Sequence, residues 1–476
     1  MNPPTPDRVE PTETTPPQRR TRRRRRLLSP LPRTSRTRTP DRARRTARVA
    51  DRAAGATRAT RRAALGPARA LAAIFRYWRA ERTTLRQGFV GLWISSGGDL
   101  IAGFALGVMT HRLDALPGLL ILVPAAIGMR GNIFGAVGSR LGTSIHSGLF
   151  RVTRERTGVL YQNAYASLML SISTSAFLAV AARVVSSATG LRSISVWDFF
   201  VISVVGGVFS SVVVLTLTVL LARMGYQRDW DLDSVAAPVI TFMGDTVTLP
   251  ALYAASFLVL THHHVVTVLM GIALAVLCLV AFIGAMRTDL PAARRIFRES
   301  ILVLALAGTM DILAGTVVQH RITRFNAVPA LLVLIPPFLE DAGALGSIAA
   351  ARLASKLHLG AIRPKLVPER LALLDITLLA PFALSVFTLV GISADLISRA
   401  SGLATPGLLK MVEISLLAGY IATIGAAILA YATAVATFRF GLDPDNHGVP
   451  IVTSSIDLFG MFALVGTIVL LGVGVK

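Results

Sequence analysis

Residues Ala236–Leu252 read AAPVITFMGDTVTLPAL and place one carboxylate, Asp245, inside an apolar run from Val235 to Leu258. As a helix rising ~1.5 Å per residue, the run carries Asp245 ~15 Å inward, near the middle of a ~30 Å hydrocarbon core. Ionisable side chains at that depth are rare and point to function. Residues Pro450–Gly466, PIVTSSIDLFGMFALVG, repeat the arrangement around Asp457, 212 positions later. A membrane helix with a central aspartate, present twice, decides the class of the fold.

The rest of the composition agrees. With 53% hydrophobic residues in 476, the chain is too apolar for a soluble protein with one core. Its net charge of +23 resembles that of a nucleic-acid binder, but residues 1–80 hold 22 arginines and five acids, so most of the excess lies in one tail. No nucleic acid is expected as a partner. The tail lacks an apolar face, which predicts a mostly disordered cytoplasmic segment whose arginines meet anionic lipid or water. Near Leu71–Trp78 a short interfacial helix leads toward the membrane. The single cysteine, Cys278, rules out a disulfide framework and a cysteine-based metal site.

Eleven apolar runs are long enough to cross a bilayer. They fall near Gly88–Thr110, Pro117–Leu141, Leu160–Ala182, Val196–Leu221, Val235–Leu258, Val265–Met286, Ser300–Val318, Pro329–Leu353, Leu371–Ile392, Met411–Val435 and Val449–Leu471. With the amino terminus inside, the inner loops carry 14 Lys and Arg and the outer side carries eight, as the positive-inside rule requires. The carboxyl terminus is then outside, and the plasma membrane is the expected location.

An offset of 212 superimposes Asp99 on Asp311, Pro124 on Pro336, Gly131 on Gly343, Arg140 on Arg352 and Asp245 on Asp457 without a gap. The predicted fold is therefore all-α: a basic tail (1–80), a first five-helix repeat (85–260), a linker with one extra span (261–297) and a second repeat (298–476). The extra span restores the orientation, so the repeats run parallel as a fused pseudo-dimer about a two-fold axis along the membrane normal. The chain is expected to act as a monomer of this kind.

Near such an axis Asp245 and Asp457 face each other and form one shared site. Two facing carboxylates repel unless a cation or proton lies between them. A hard divalent ion such as Mg²⁺ takes oxygen ligands and keeps much of its water. Asp99, Asp311, Glu340 and Asp341 supply further carboxylates, and Gly128, Gly131, Asn132, Thr241, Gly343, Thr453 and Ser454 line the expected path. Prolines and glycines in the second spans are expected to free backbone carbonyls toward it. Arg130, at mid-depth, is expected to pair with Glu340 or Asp341, or else to reach water. Asn163 and Asp375, 212 apart, are expected to make interhelical hydrogen bonds. Asp231, Asp233, Asp443 and Asp445 read as helix caps or as an acidic inner vestibule.

The second span, VPAAIGMRGNIFGAVGSRLGTSIH, and the fifth, DLDSVAAPVITFMGDTVTLPAL, resemble those of the MgtE-type magnesium transport domain, above all its tandem-duplicated, MgtE-like solute carrier form. The resemblance covers about Gly88–Leu471. It implies a transporter without a cofactor and not an enzyme, with Mg²⁺ permeating along the axis between Asp245 and Asp457. Residues 1–80 show nothing like the soluble sensor domains of the homodimeric channels, so gating is expected to differ. In the second repeat FLEDAGALGS replaces the glycine-asparagine motif, making that half more acidic. Other readings stay open at this point: Mn²⁺ or Co²⁺ by the same route, a Na⁺- or H⁺-coupled Mg²⁺ exchanger, and more remotely an intramembrane aspartyl protease.

Overall fold

The structure is a computed structural model that describes residues 69–146, 148, 150, 153, 155–228, 232–441 and 448–473. Most of the basic tail and Asp231, Asp443 and Asp445 lie outside the described residues, as do the side chains of His146, Asp233 and Thr241. The described chain is helical, with eleven helices long and apolar enough to cross a membrane. In chain order they are α1 (Arg82–Val108), α2 (Leu119–Ile145), α3 (Val159–Ala188), α4 (Val196–Met224), α5 (Phe242–Thr261), α6 (His264–Arg287), α7 (Pro291–Gln319), α8 (Ala330–His358), α9 (Arg370–Ala400), α10 (Leu408–Phe440) and α11 (Val449–Leu470). Each expected crossing is found.

Local chemistry sets several ends. Ser195 and Asp198 form a reciprocal capping box that opens α4. Proline stands in the first turn of α7 and α11, where a missing N–H costs nothing. One feature has no signature in the hydropathy: α4 contains a π turn over Val201–Val205, where the Ser203 hydroxyl donates to the Ser175 carbonyl at 2.7 Å.

Packing recurs at the 212-residue offset, and it crosses between the halves. α1 lies against α8 and α5, while α7 lies against α2 and α11. At Gly103 a Cβ would run into the carbonyl oxygen of Val333, and at Gly315 into that of Ile121. Both pairs are related by 212, and both crossings bring backbone onto backbone, which only glycine permits. The helices α2 and α8 are buried on most of their surface and form the centre. They run unbroken through Pro124 and through Pro336 and Pro337. This corrects the expectation of opened helices. The prolines remove single N–H groups without breaking the ladder, and the glycines serve close approach instead.

The expected helix before α1 is present, with residues 71–80 helical. Tyr77 donates to Asp375 Oδ1 at 2.7 Å, Trp78 Nε1 donates to Thr377 at 3.1 Å, and Glu81 receives Arg352 at 3.1 Å. Arg352 and Lys356 reach Asp375 at 2.7 and 2.5 Å, so one carboxylate ties this segment to α8 and α9. Burial raises the Tyr77 pKa and keeps the phenol a donor. In the first half Arg140 Nε donates to Asn163 at 2.8 Å, so Asn163 and Asp375 do link their second and third spans. The unmatched helix α6 rests on α3, α7 and the first turns of α4, with Phe282 against Phe297, and its outer face is apolar and exposed.

Candidate cation site

Four aspartates from four helices meet in two pairs. Asp99 of α1 lies side by side with Asp245 of α5, and Asp311 of α7 lies side by side with Asp457 of α11. Asp99, Asp245 and Asp311 have no exposed surface, and among the described residues none of their six carboxylate oxygens has a hydrogen-bond donor. Buried acids are normally paired or hydrogen-bonded, so this concentration is costly unless cations or protons are present.

Glu340 joins the pairs. It lies within electrostatic reach of Asp99, Asp245, Asp311, Asp457 and Asp341, and Asp457 in turn feels Asp245. Its mate at the 212 offset is Gly128, and here the halves differ most. A Cβ at Gly128 would stand 2.9 Å from Asp311 Oδ2 and 3.7 Å from Asp457 Oδ2. The second aspartate pair therefore faces bare helix backbone, while the first pair faces a carboxylate.

The remaining site residues divide. Gly343 faces Asp457 and Thr453, with 3.8 Å to each from a built Cβ, and Gly131 has free space before it. Thr453 Oγ1 approaches Asn132 Oδ1 at 3.3 Å, linking α11 to α2. Ser454 is fully buried beside Asp311, although its hydroxyl is not aligned on the carboxylate. Asp341 lies within reach of Asp99 and Glu340 and is held by α1: both its oxygens accept from Ser96 Oγ at 2.9 Å. Ser96 went unread in the sequence, yet it lies one helical turn before Asp99 on the same face. Among the described residues, no three acids, histidines or cysteines converge tightly enough to cage one bare ion.

The expected pairing of Arg130 is corrected. Its Nε donates to Ser210 at 3.2 Å and one terminal nitrogen donates to Ser175 at 3.1 Å, both in its own half. Its residue is 1% exposed, so it does not reach water either. The side chain leaves α2 on the face toward α3 and α4, where small residues make room: a Cβ at Gly207 would stand 2.6 Å from a guanidinium nitrogen. In the second half the same space is filled differently. Ala342 replaces Arg130, and the Phe387 ring, mate of Ser175, presses on Gly419, mate of Gly207.

Comparison with known proteins bears on this geometry. The family model MgtE, described as a divalent cation transporter, matches the chain twice, over residues 123–255 and 335–467. The chain belongs to the MgtE family. Both ends of the two MgtE matches are displaced by 212 residues, the offset read from the sequence, and each match holds the second to fifth helices of one half. This MgtE-family chain is similar to solute carrier family 41 member 3 of Rattus norvegicus, 22% identical over 399 residues that cover 79% of this chain and 85% of that protein. It is also similar to solute carrier family 41 member 2 of Homo sapiens, 24% identical over 299 residues, 60% of this chain and 50% of that protein. No solved structure matches it. As an MgtE-family member it is a divalent cation transporter and not an enzyme, which removes the protease reading.

Proposed function

We propose that the protein carries Mg²⁺ through the seam between its two halves, past Asp245 and Asp457, and that it works as a monomeric pseudo-dimer in the plasma membrane. Its amino terminus is inside and its carboxyl terminus outside, with the arginine-rich tail against anionic headgroups. One observation supports this reading: two buried aspartate pairs, Asp99 with Asp245 and Asp311 with Asp457, lie within electrostatic reach of Glu340, and Asp99, Asp245 and Asp311 have no hydrogen-bond donor among the described residues.

The ligand chemistry supports Mg²⁺. The described side chains around the pairs offer oxygen, which suits a hard ion, and neither histidine nor cysteine lies among them. Carboxylates that stop short of a tight cage suit an ion that retains part of its water, because Mg²⁺ dehydrates reluctantly. Gly128 provides width on the side of Asp311 and Asp457. Thr453, Asn132, Gly131 and Gly343 flank the way in.

The experiment is Mg²⁺ uptake into proteoliposomes, read by an internal dye under an imposed potential, for the unmodified chain, Asp245→Asn and Asp457→Asn. Uptake in the unmodified chain and loss in both variants, with unchanged thermal unfolding, is the expected result. Uptake that survives both substitutions removes the shared site. Uptake of Mn²⁺ or Co²⁺ but not Mg²⁺ replaces the ion and keeps the path. A requirement for a Na⁺ or H⁺ gradient marks a coupled exchanger.

A further inference from the structure

The seam between α7 and α3 is covered by α6, whereas the matching seam between α1 and α9 is covered by no membrane-length helix among the described residues. Two hollows lie along that second seam. One, of about 670 Å³, is lined by Arg82, Arg86, Phe89, Trp93, Pro381 and Leu384 among others. The other, of about 460 Å³, follows further along the same two helices, with Gly97, Phe104 and Leu396 in its wall. Together they make a long apolar groove where the other half holds a helix.

The end of the groove nearest the amino terminus is charged. Arg82 and Arg86 stand one turn apart above Phe89 and Trp93 on one face of α1, both exposed, and neither forms an ion pair among the described residues. Their mates at the 212 offset are Arg294 and Arg298. Arg298 shows what such an arginine does when the groove is filled: it donates at 2.9 Å to the carbonyl of Met286, at the end of α6. Among the described residues the pair on α1 thus lacks the oxygen acceptor that Arg298 has.

The geometry points to an anionic phospholipid as the occupant: its phosphate on Arg82 and Arg86, and an acyl chain laid along Phe89, Trp93, Pro381 and Leu384. Charge complementarity selects the headgroup, because two unpaired guanidiniums form forked hydrogen bonds with phosphate oxygens. The apolar wall selects a chain over a polar ligand, and Trp93, held by its Nε1 bond to Ser385 at 3.0 Å, presents a fixed ring to that chain. The site is specific to one half, since α6 occupies the other. It does not depend on which ion is carried, and its test contains no divalent ion.

Trp93 is 52% exposed and reports on the groove directly. The test is quenching of its fluorescence by phosphatidylglycerol or phosphatidylcholine brominated on the acyl chains, in the full chain with Trp78→Phe, Trp197→Phe and Trp230→Phe. Stronger association of the anionic lipid, on the order of tenfold, is expected, collapsing to parity in the Arg82→Gln, Arg86→Gln double variant. Native mass spectrometry of the chain with all its tryptophans gives a second readout: retained phosphatidylglycerol that the double variant loses and Arg321→Gln keeps. Equal quenching by both lipids, or selectivity that survives the double variant, overturns the site. Absence of quenching by either lipid also overturns it, and means that protein, such as a second copy, covers the seam.

Discussion

Asn326 donates from Nδ2 to Oδ1 of Asp114 at 2.5 Å, and the two residues are separated by the repeat offset itself, 212. In a two-fold arrangement a residue touches its own mate only beside the axis. The pair follows α1 and α7 in their short connecting helices, at the end of the proposed pathway opposite the amino terminus. With Cys278→Ser as background, Asp114→Cys and Asn326→Cys should be joined by a short reducible thiol reagent. Fragments cut at an engineered protease site in the 287–290 turn should then stay linked until reduced. Mg²⁺ uptake should fall on joining and return on reduction; unlinked fragments would displace the axis from this pair.

Gly128 and Gly343 give a paired prediction about width. Gly128→Ala adds a methyl 2.9 Å from Asp311 Oδ2, tighter than ordinary contact, so a carboxylate must move. Gly343→Ala meets Asp457 and Thr453 at 3.8 Å, which is normal van der Waals distance. Uptake assays should show at least about a tenfold loss for Gly128→Ala, the effect of ~1.4 kcal/mol on a barrier, and little change for Gly343→Ala.

Ser96→Ala leaves both oxygens of Asp341 without their donor. A buried acceptor deprived of its partner costs about 1–3 kcal/mol, so detergent-solubilised protein should unfold at lower temperature. The mate of Ser96 is Gly308, which faces Leu178 and then Met129, so Gly308→Ala has no polar partner to disturb and tests packing alone.

Asp375→Asn imports the first half's residue at that position. Alone it should destabilise by about 1–3 kcal/mol, because Lys356 loses its carboxylate while Arg352 keeps Glu81. Adding Lys356→Ser, which copies Ser144, should recover most of the loss in the same unfolding assay. Failure to recover would mean that the contact from Tyr77 to Asp375 carries the stability.

Arg130→Ala empties a buried site, and large-to-small losses there run to about 2–5 kcal/mol. Ser175→Phe added to it reproduces the second half's Ala342 and Phe387. The double variant should unfold closer to the unmodified chain than Arg130→Ala alone, which a thermal unfolding series would measure.

Much of this was legible in the sequence, for a physical reason. Hydropathy reports apolar spans, so the eleven helices, and the placement of Asp99, Asp245, Asp311 and Asp457 within them, could be read directly. The 212 offset then named which residues match. Depth says nothing about azimuth around a helix, and that is where the reading of Arg130 went astray. At the same level as Glu340 and Asp341, it points instead toward Ser175 and Ser210. The π turn in α4 also escaped, because Val201–Val205 has the composition of any buried helix. Pro124 and Pro336 suggested broken helices, although neighbouring helices can absorb one lost N–H apiece.

The crossed packing of α1 on α8 and of α7 on α2 sets a schedule for synthesis. Gly103 is made some 230 residues before its seat on Val333, so at ~5–20 residues per second α1 waits roughly 10–50 s in the membrane for its partner. During that wait Ser96 and Asp99 have neither Asp341 nor a finished core around them. Polar side chains in a lone span favour any passing helix that offers a partner, so the first half is open to wrong pairing until Asp341 and Val333 have entered the bilayer.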